Sequence, residues 1–260
     1  MRRPWLVALL VSLAIVGGMP GCNRLPRKQK VIMGAPPASI SDPALKSALE
    51  SALHKTTDPT STDLATLTAL QIGPASDKSG FTSLMGLEHC THLTTLIIEG
   101  RPLPDLAPIG SLTQLKGLNL NGDNLSDITP LKSLTNLEWL DLGENQIADL
   151  TPLAGMTKLK LLKLRGNKIV ELKPLGGLTA IESLALSNNQ IIDLGPLTTL
   201  IHLKELYLTH NPLGSLEPLA QNTGLSLNDR LVLDHTQVQG LEAGVNKLKG
   251  QGVQIVESDM

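Results

Sequence analysis

The stretch LEWLDLGENQIADLTPLAGMTK, residues 137–158, opens with leucines at 137, 140 and 142, changes character at Asn145, and closes on Leu150, Leu153 and Met156. The 22 residues before it, LKGLNLNGDNLSDITPLKSLTN, and the 22 after it, LKLLKLRGNKIVELKPLGGLTA, repeat the same phrase. Leu93, Leu115, Leu137, Leu159, Ile181 and Leu203 mark its start at a constant spacing of 22. A period held without a slip over six registers is the signature of a stacked array, in which each unit buries its apolar side against its neighbours.

Within one unit, strand alternation decides which side chains meet the core. Leu140 and Leu142 share one face of a short strand, while Trp139 and Asp141 face the other way. Identical strands stacked about 4.8 Å apart form a parallel sheet. Asn145, Asn167, Asn189 and Asn211 form a column where each strand ends, with Asp123 substituting and Arg101 and Thr236 at the ends. Side-chain amides there can satisfy the backbone groups of the turn. In the second half, DITPLKSL and DLTPLAGM place Thr before Pro, which predicts a Thr N-cap and one helical or 3₁₀ turn on the opposite face. The predicted fold is an α/β solenoid, a horseshoe with a parallel β-sheet on its concave face and short turns on its convex face.

The pattern LxxLxLxxNxI followed by D-x-x-P-L-x-x-L resembles the leucine-rich repeat family, and more narrowly its internalin-like class, from about Asp42 to the C-terminus. The resemblance implies a helical N-terminal cap and a protein-binding role, although a fold does not name a partner. The cap is expected over residues 42–66, where Asp42 reads as an N-cap, Pro43 as the first helical residue, and positions 45, 49, 52 and 53 as the apolar stripe. About eight repeats follow over residues 67–240. The first is degenerate, with about four extra residues near SDKSG, and the last follows a three-residue insertion near TGLSLND. Residues 241–260 read as a C-terminal cap of one helix and the edge strand VQIV.

At the N-terminus, Arg2 and Arg3 precede the apolar run WLVALLVSLAIV and then GGMPGC. This is the layout of an export signal over residues 1–21, and its 12-residue apolar run is too short to span a bilayer. GMPGC is similar to a bacterial lipobox, with cleavage after Gly21 and a lipid on Cys22, although Met19 and Pro20 depart from the usual residues. Ordinary cleavage or retention of the segment are the alternatives. Residues 22–41 read as a flexible tether. The expected location is the bacterial cell envelope with lipid attachment to a membrane, the alternative being a secreted or periplasmic soluble protein. With Cys22 acylated, Cys90 has no partner for a disulfide.

Charge is nearly balanced, with 22 Lys+Arg against 24 Asp+Glu and no basic stripe, so nucleic acid is not an expected partner. No GxSxG elbow, phosphate-binding glycine loop or HExxH motif is present, and the acidic positions 127, 149, 171 and 193 follow the repeat. No enzymatic activity, cofactor or metal is expected. Cys90 falls in the column of Leu112, Leu134 and Met156 and reads as a buried thiol. His210 and His235 each precede the asparagine column and read as solvated surface, with metal binding or pH sensing as the alternative. The candidate partner-binding residues are the outward positions of the strands: Ile97, Asn119, Trp139, Asp141, Leu161, Lys163, Arg165, Glu205, Tyr207 and Arg230. Ser183, Ser187, Thr209 and Asp234 are expected beside them. Trp139 and Tyr207 have the residue types that binding hot spots favour, unless Trp139 and Leu161 simply cover each other. The expected role is a monomeric, non-enzymatic module holding an unknown protein partner. A structural spacer or adhesin that binds glycan or itself is the alternative.

Overall fold

The computed structural model describes residues 35–74 and 80–258. The export signal, Cys22 and most of the expected tether lie outside the described residues. Nine strands, β1 (Ala69–Ile72), β2 (Thr95–Ile98), β3 (Gly117–Asn119), β4 (Trp139–Asp141), β5 (Leu161–Lys163), β6 (Ser183–Ala185), β7 (Glu205–Tyr207), β8 (Arg230–Leu233) and β9 (Gln254–Glu257), pair in chain order. Every pairing is parallel, and the sheet is open and unclosed. The register follows the sequence period: Gly117 pairs Trp139, Trp139 pairs Leu161, and Leu161 pairs Ser183. The spacing widens only at the ends, where Ala69 pairs Thr95 and Glu205 pairs Arg230.

Leucine builds the core because the interior of such a stack is a series of near-identical slots. Leu137, Leu140 and Leu142 are fully buried, as are Leu159, Leu162 and Leu164 in the next unit. Each such side chain contributes roughly 1.5–3 kcal/mol by leaving water. Cys90 occupies one of these slots, and burial pushes its thiol up to about 12. It is an apolar filler with no thiolate at neutral pH.

The asparagine column is a continuous hydrogen-bonded ladder. Asn145 Nδ2 donates to the carbonyls of Leu120, Leu142 and Gly143, while its Oδ1 accepts from the N–H groups of Asp123 and Leu125. Asn167, Asn189 and Asn211 repeat this pattern one unit at a time. The residue before each rung is forced into the left-handed region: Gly100, Gly122, Glu144, Gly166, Asn188 and His210 all have positive φ. Glycine at three of these six positions avoids the Cβ clash that the others bear. At the trailing end the expected rung, Thr236, does not take this role. Gln237 does, donating from Nε2 to the carbonyls of Leu208 and Asn211. Its longer side chain reaches the Leu208 carbonyl of the preceding repeat after the chain has turned into a helix, and takes the Asn211 carbonyl as its second acceptor.

The convex side carries 3₁₀ turns at Thr129–Ser133, Thr151–Leu153, Lys173–Gly177 and Gly195–Thr199. The expected Thr N-cap is corrected here. Thr129 and Thr151 are already the first residues of their turns, Ile128 and Leu150 stand at the cap positions, and the side chains that hold the turn starts are Asp127 and Asp149, one residue earlier, whose Oδ1 atoms accept the Thr N–H groups at 2.8 Å. An Asp side chain readily bonds the N–H two residues on, which leaves Thr and Pro free to start the turn. Asp193 accepts from Gly195 N–H in the same way at 2.7 Å, so the three aspartates of the acidic column hold the starts of their turns.

Helices close the array at each end. In α1 (Pro43–Ala52), Leu45 and Leu49 are buried, and Asp42 accepts from Leu45 N–H at 2.8 Å. The other Asp42 oxygen accepts from the N–H and hydroxyl of Thr82, which fastens the helix to the first repeats. The turn α2 (Ser61–Leu64) follows it, and α3 (Ala107–Gly110) and α4 (Glu217–Ala220) replace 3₁₀ turns on the convex side. After β8, α5 (His235–Gly240) and α6 (Glu242–Gly250) lead to β9, and Val245, Leu248 and Val253 close the core.

Candidate binding surface on the concave sheet

The outward side chains of β2 to β9 lie in rows across the sheet, because the 22-residue register sets equivalent positions side by side. One row runs Thr95, Gly117, Trp139, Leu161, Ser183, Glu205, and the next runs Ile97, Asn119, Asp141, Lys163, Ala185, Tyr207. All ten candidate residues stand in these rows or at their margins. Lys163, Arg165 and Arg230 are exposed, and Ile97, Asn119, Trp139, Asp141, Leu161, Glu205 and Tyr207 are half-buried.

Trp139 is the most informative of them. A Cβ added to Gly117 would lie 2.1 Å from indole atoms Cε2 and Cζ2, so the ring rests on the bare backbone of β3. The indole is thus seated toward Gly117, on the β3 side of its strand. Gly117 is the only glycine in its row, and its missing side chain makes the bed for the indole. One ring face meets the sheet, and the residue keeps part of its surface open to the concave side. Tyr207 stands three strands away, about 15 Å by strand spacing.

A polar network links the strands in front of and behind the indole. Asn119 donates to Glu99, and its Oδ1 accepts from Asn121 N–H at 2.9 Å. Asn121 donates to Asp141 Oδ1 at 3.4 Å, Gly143 N–H reaches the same oxygen at 3.0 Å, and Lys163 pairs with Asp141 Oδ2 at 3.3 Å. Arg165 pairs with Glu144 at 3.4 Å. These pairs lie at the surface, where they add little stability but fix the charge pattern.

The third row departs from expectation. Ser187, Thr209 and Asp234 are buried, because here the backbone turns inward toward the asparagine ladder. Asp234 is the N-cap of α5, accepting from Gln237 N–H at 2.9 Å and from His210 N–H at 2.7 Å. Burial works to raise its pKa, and the bonds from Thr236, His210 and Gln237 outweigh it and hold the carboxyl below its ordinary value. His210 sits at a left-handed turn, whereas His235 starts α5 with Nδ1 2.9 Å from Glu257 Oε2. Both border a shallow depression of about 420 Å³ with Asp234 and Thr236. Among the described residues, no three His, Cys, Asp or Glu converge on a metal position.

Sequence reasoning missed Gly117 as the bed of Trp139, and the signal was available as a lone glycine in a row of larger side chains. It placed Asp123 in the column but did not foresee that one of its oxygens would be left unpartnered. This rung is fully buried, Oδ1 accepts from Arg101 N–H at 2.9 Å, and Oδ2 has no hydrogen-bond partner.

The family model for leucine rich repeats matches residues 135–178 and 179–221. Together with the nine-stranded open parallel sheet and the 3₁₀ turns, this decides the architecture. The chain has a leucine-rich repeat fold. The repeat array is similar to internalin C2 of Listeria monocytogenes, with 29% identity over 74% of this chain and 93% of that one at a TM-score of 0.58. An internalin F structure from the same organism shares 25% identity over 83% of this chain and 75% of its own, also at 0.58. The leucine-rich repeat ectodomain of a plant membrane receptor kinase from Arabidopsis thaliana, solved in complex with Casparian strip integrity factor 2, shares the fold at 20% identity and a TM-score of 0.54 over 72% of this chain and 23% of its own. No curated protein sequence matches the chain. No helix among the described residues is long and apolar enough to cross a membrane.

Proposed function

We propose that this leucine-rich repeat protein is a non-enzymatic recognition module that holds a partner protein on its concave sheet, exported to a bacterial envelope and attached there by lipid on Cys22. The observation that carries the reading is the indole of Trp139, laid over Gly117 on an open sheet face. An aromatic ring held rigidly by its bed loses little conformational freedom on binding, which is what makes such residues strong anchors. Likeness to internalins supports a recognition role, and the lipobox-like GMPGC supports the anchor.

The test is crosslinking capture from native envelopes with the wild-type chain and a Trp139→Ala, Tyr207→Ala variant of equal melting temperature. A partner caught by the wild type and lost by the variant supports the concave face. The same proteins recovered with both would move the binding site to the convex turns or caps. Replacing Cys22 with Ser is expected to release the chain from membranes, and continued sedimentation with them would refute the anchor.

A further inference from the structure

The trailing half of the concave sheet carries a groove of about 690 Å³ between β5 and β9. Its floor is apolar: Ala185, Val232 and Val256 lie side by side in one row, and the ring of Tyr207 stands between the first two. One wall is β5, which presents Leu161, Lys163 and Arg165. The depth comes from β6, whose small Ser183 and Ala185 lie between that wall and Glu205 and Tyr207 on β7.

The charge of this groove runs against that of the rest of the folded chain. Residues 35–260 hold 16 Lys+Arg and 24 Asp+Glu. The groove instead has three cations, Lys163, Arg165 and Arg230, against two carboxylates, Glu205 and Glu257. Both carboxylates are already engaged, Glu205 by the Ser183 hydroxyl at 3.1 Å and Glu257 by His235 at 2.9 Å. The acids paired with Lys163 and Arg165 are Asp141 and Glu144, which do not line the groove. The Arg165–Glu144 pair is exposed on both sides and weak enough for Arg165 to turn to an incoming carboxylate, and the Lys163 ammonium, itself half exposed, can meet one while still beside Asp141.

We infer that this groove is a slot for an extended, acidic segment of a partner polypeptide, lying across the strands with its carboxylates on Lys163 and Arg165 and its apolar side chains on the Ala185 to Val256 floor. The inference rests on the proposed concave binding role and deepens it. Four strand spacings from β5 to β9 span about 19 Å, which an extended chain covers in about six residues. The folded chain is net acidic while this groove carries a cationic excess, so charge favours an acidic segment here over the average surface of the domain.

The test uses the full chain and two fluorescein-labelled synthetic hexapeptides, Asp-Asp-Leu-Val-Leu-Gly and Lys-Lys-Leu-Val-Leu-Gly, titrated by fluorescence anisotropy. The acidic peptide is expected to bind more tightly than the basic one and to weaken as salt is raised. The Lys163→Glu, Arg165→Glu variant, matched to the wild type in melting temperature, is expected to bind it at least about tenfold more weakly, the loss of a charge-assisted contact. Equal binding of the two peptides, no binding of the acidic one, or unchanged affinity in the variant would overturn the slot. In envelope capture, a partner lost by the Trp139→Ala, Tyr207→Ala variant but kept by Lys163→Glu, Arg165→Glu leaves the concave reading standing and removes the acidic slot. A partner kept by both variants removes both.

Discussion

Asp123→Asn is expected to stabilise the protein increasingly as pH rises from 5 to 8. In every later rung the asparagine Nδ2 donates to backbone carbonyls, and for Asn145 these belong to Leu120, Leu142 and Gly143. The 22-residue register assigns Asp123 the corresponding carbonyls of Ile98, Leu120 and Asn121. A carboxylate oxygen has no hydrogen to offer them, and Oδ2 is left without a partner. Burial pushes the Asp123 carboxyl up to about 7, against the opposing bond from Arg101 N–H and with the charge of Glu99 adding to the rise. Its ordinary value is 3.8, so the difference is roughly three pH units at about 1.4 kcal/mol each, or about 4 kcal/mol. The folded pKa lies above the unfolded one, so the folded state binds more protons between pH 4 and 7. The stabilising contribution is therefore full below about pH 4 and is lost as pH rises through about 7. Asparagine does not titrate and supplies the missing N–H. Urea unfolding of both proteins at pH 5 and pH 8, with m-values compared, reads the effect as a difference of differences. The gain from the substitution is expected to be larger at pH 8 by about 2 kcal/mol or more, allowing for relaxation around the site. An equal gain at both pH values, or a loss at pH 8, would refute the account of this rung.

Gly117→Ala places a Cβ inside the indole of Trp139, so it is expected to cost about 1–3 kcal/mol by displacing the ring; in a Trp139→Ala background the same change is expected to be nearly neutral, and additivity in that double-mutant cycle would contradict the bed. Leu140→Ala removes a fully buried side chain and is expected to cost about 2–5 kcal/mol; a melting shift no larger than that of an exposed control would contradict the stacked core. Glu144→Gly relieves a non-glycine residue at φ 53° and gives up only an exposed ion pair with Arg165, so thermal unfolding is expected to show a gain of about 1 kcal/mol.

The architecture was legible because the repeat averages its own signal. One Leu140 says little, but the same residue type every 22 positions states strand, core and period together. The ends were less legible for the same reason, since a single terminal unit has no neighbours to average with. Gln237 replaces the expected Thr236 because α5 begins one residue after Asp234, and a helix shifts which side chain reaches back to Leu208. The Asp side chains that hold the turn starts escaped notice because Thr-Pro and Asp-x-Thr are both valid turn starts in sequence. Only geometry shows that Asp127 holds the N–H of Thr129. The concave rows were half legible. Alternation placed Trp139 outward, but which neighbour its ring would choose depended on Gly117, one repeat away.

This division follows from what each position in a repeat is free to do. The leucine slots, the left-handed turn and the asparagine rung are fixed by packing and backbone hydrogen bonding, and the convex Asp-x-Thr-Pro start is fixed by its Asp side chain. Much of the third outward row is drawn into the bend, as Ser187 and Thr209 show, with Arg165 an exposed exception. Two outward positions per strand remain whose side chains the fold does not dictate. In the first of them the repeats differ widely, running from Gly117 through Trp139, Leu161 and Ser183 to Glu205 and Arg230. A surface assembled from such unconstrained positions can be flat and aromatic at one end and grooved and cationic at the other without disturbing the core. On the proposed concave binding role, recognition would be written across the strands, in a row whose members lie 22 or more residues apart in sequence and one strand apart in space.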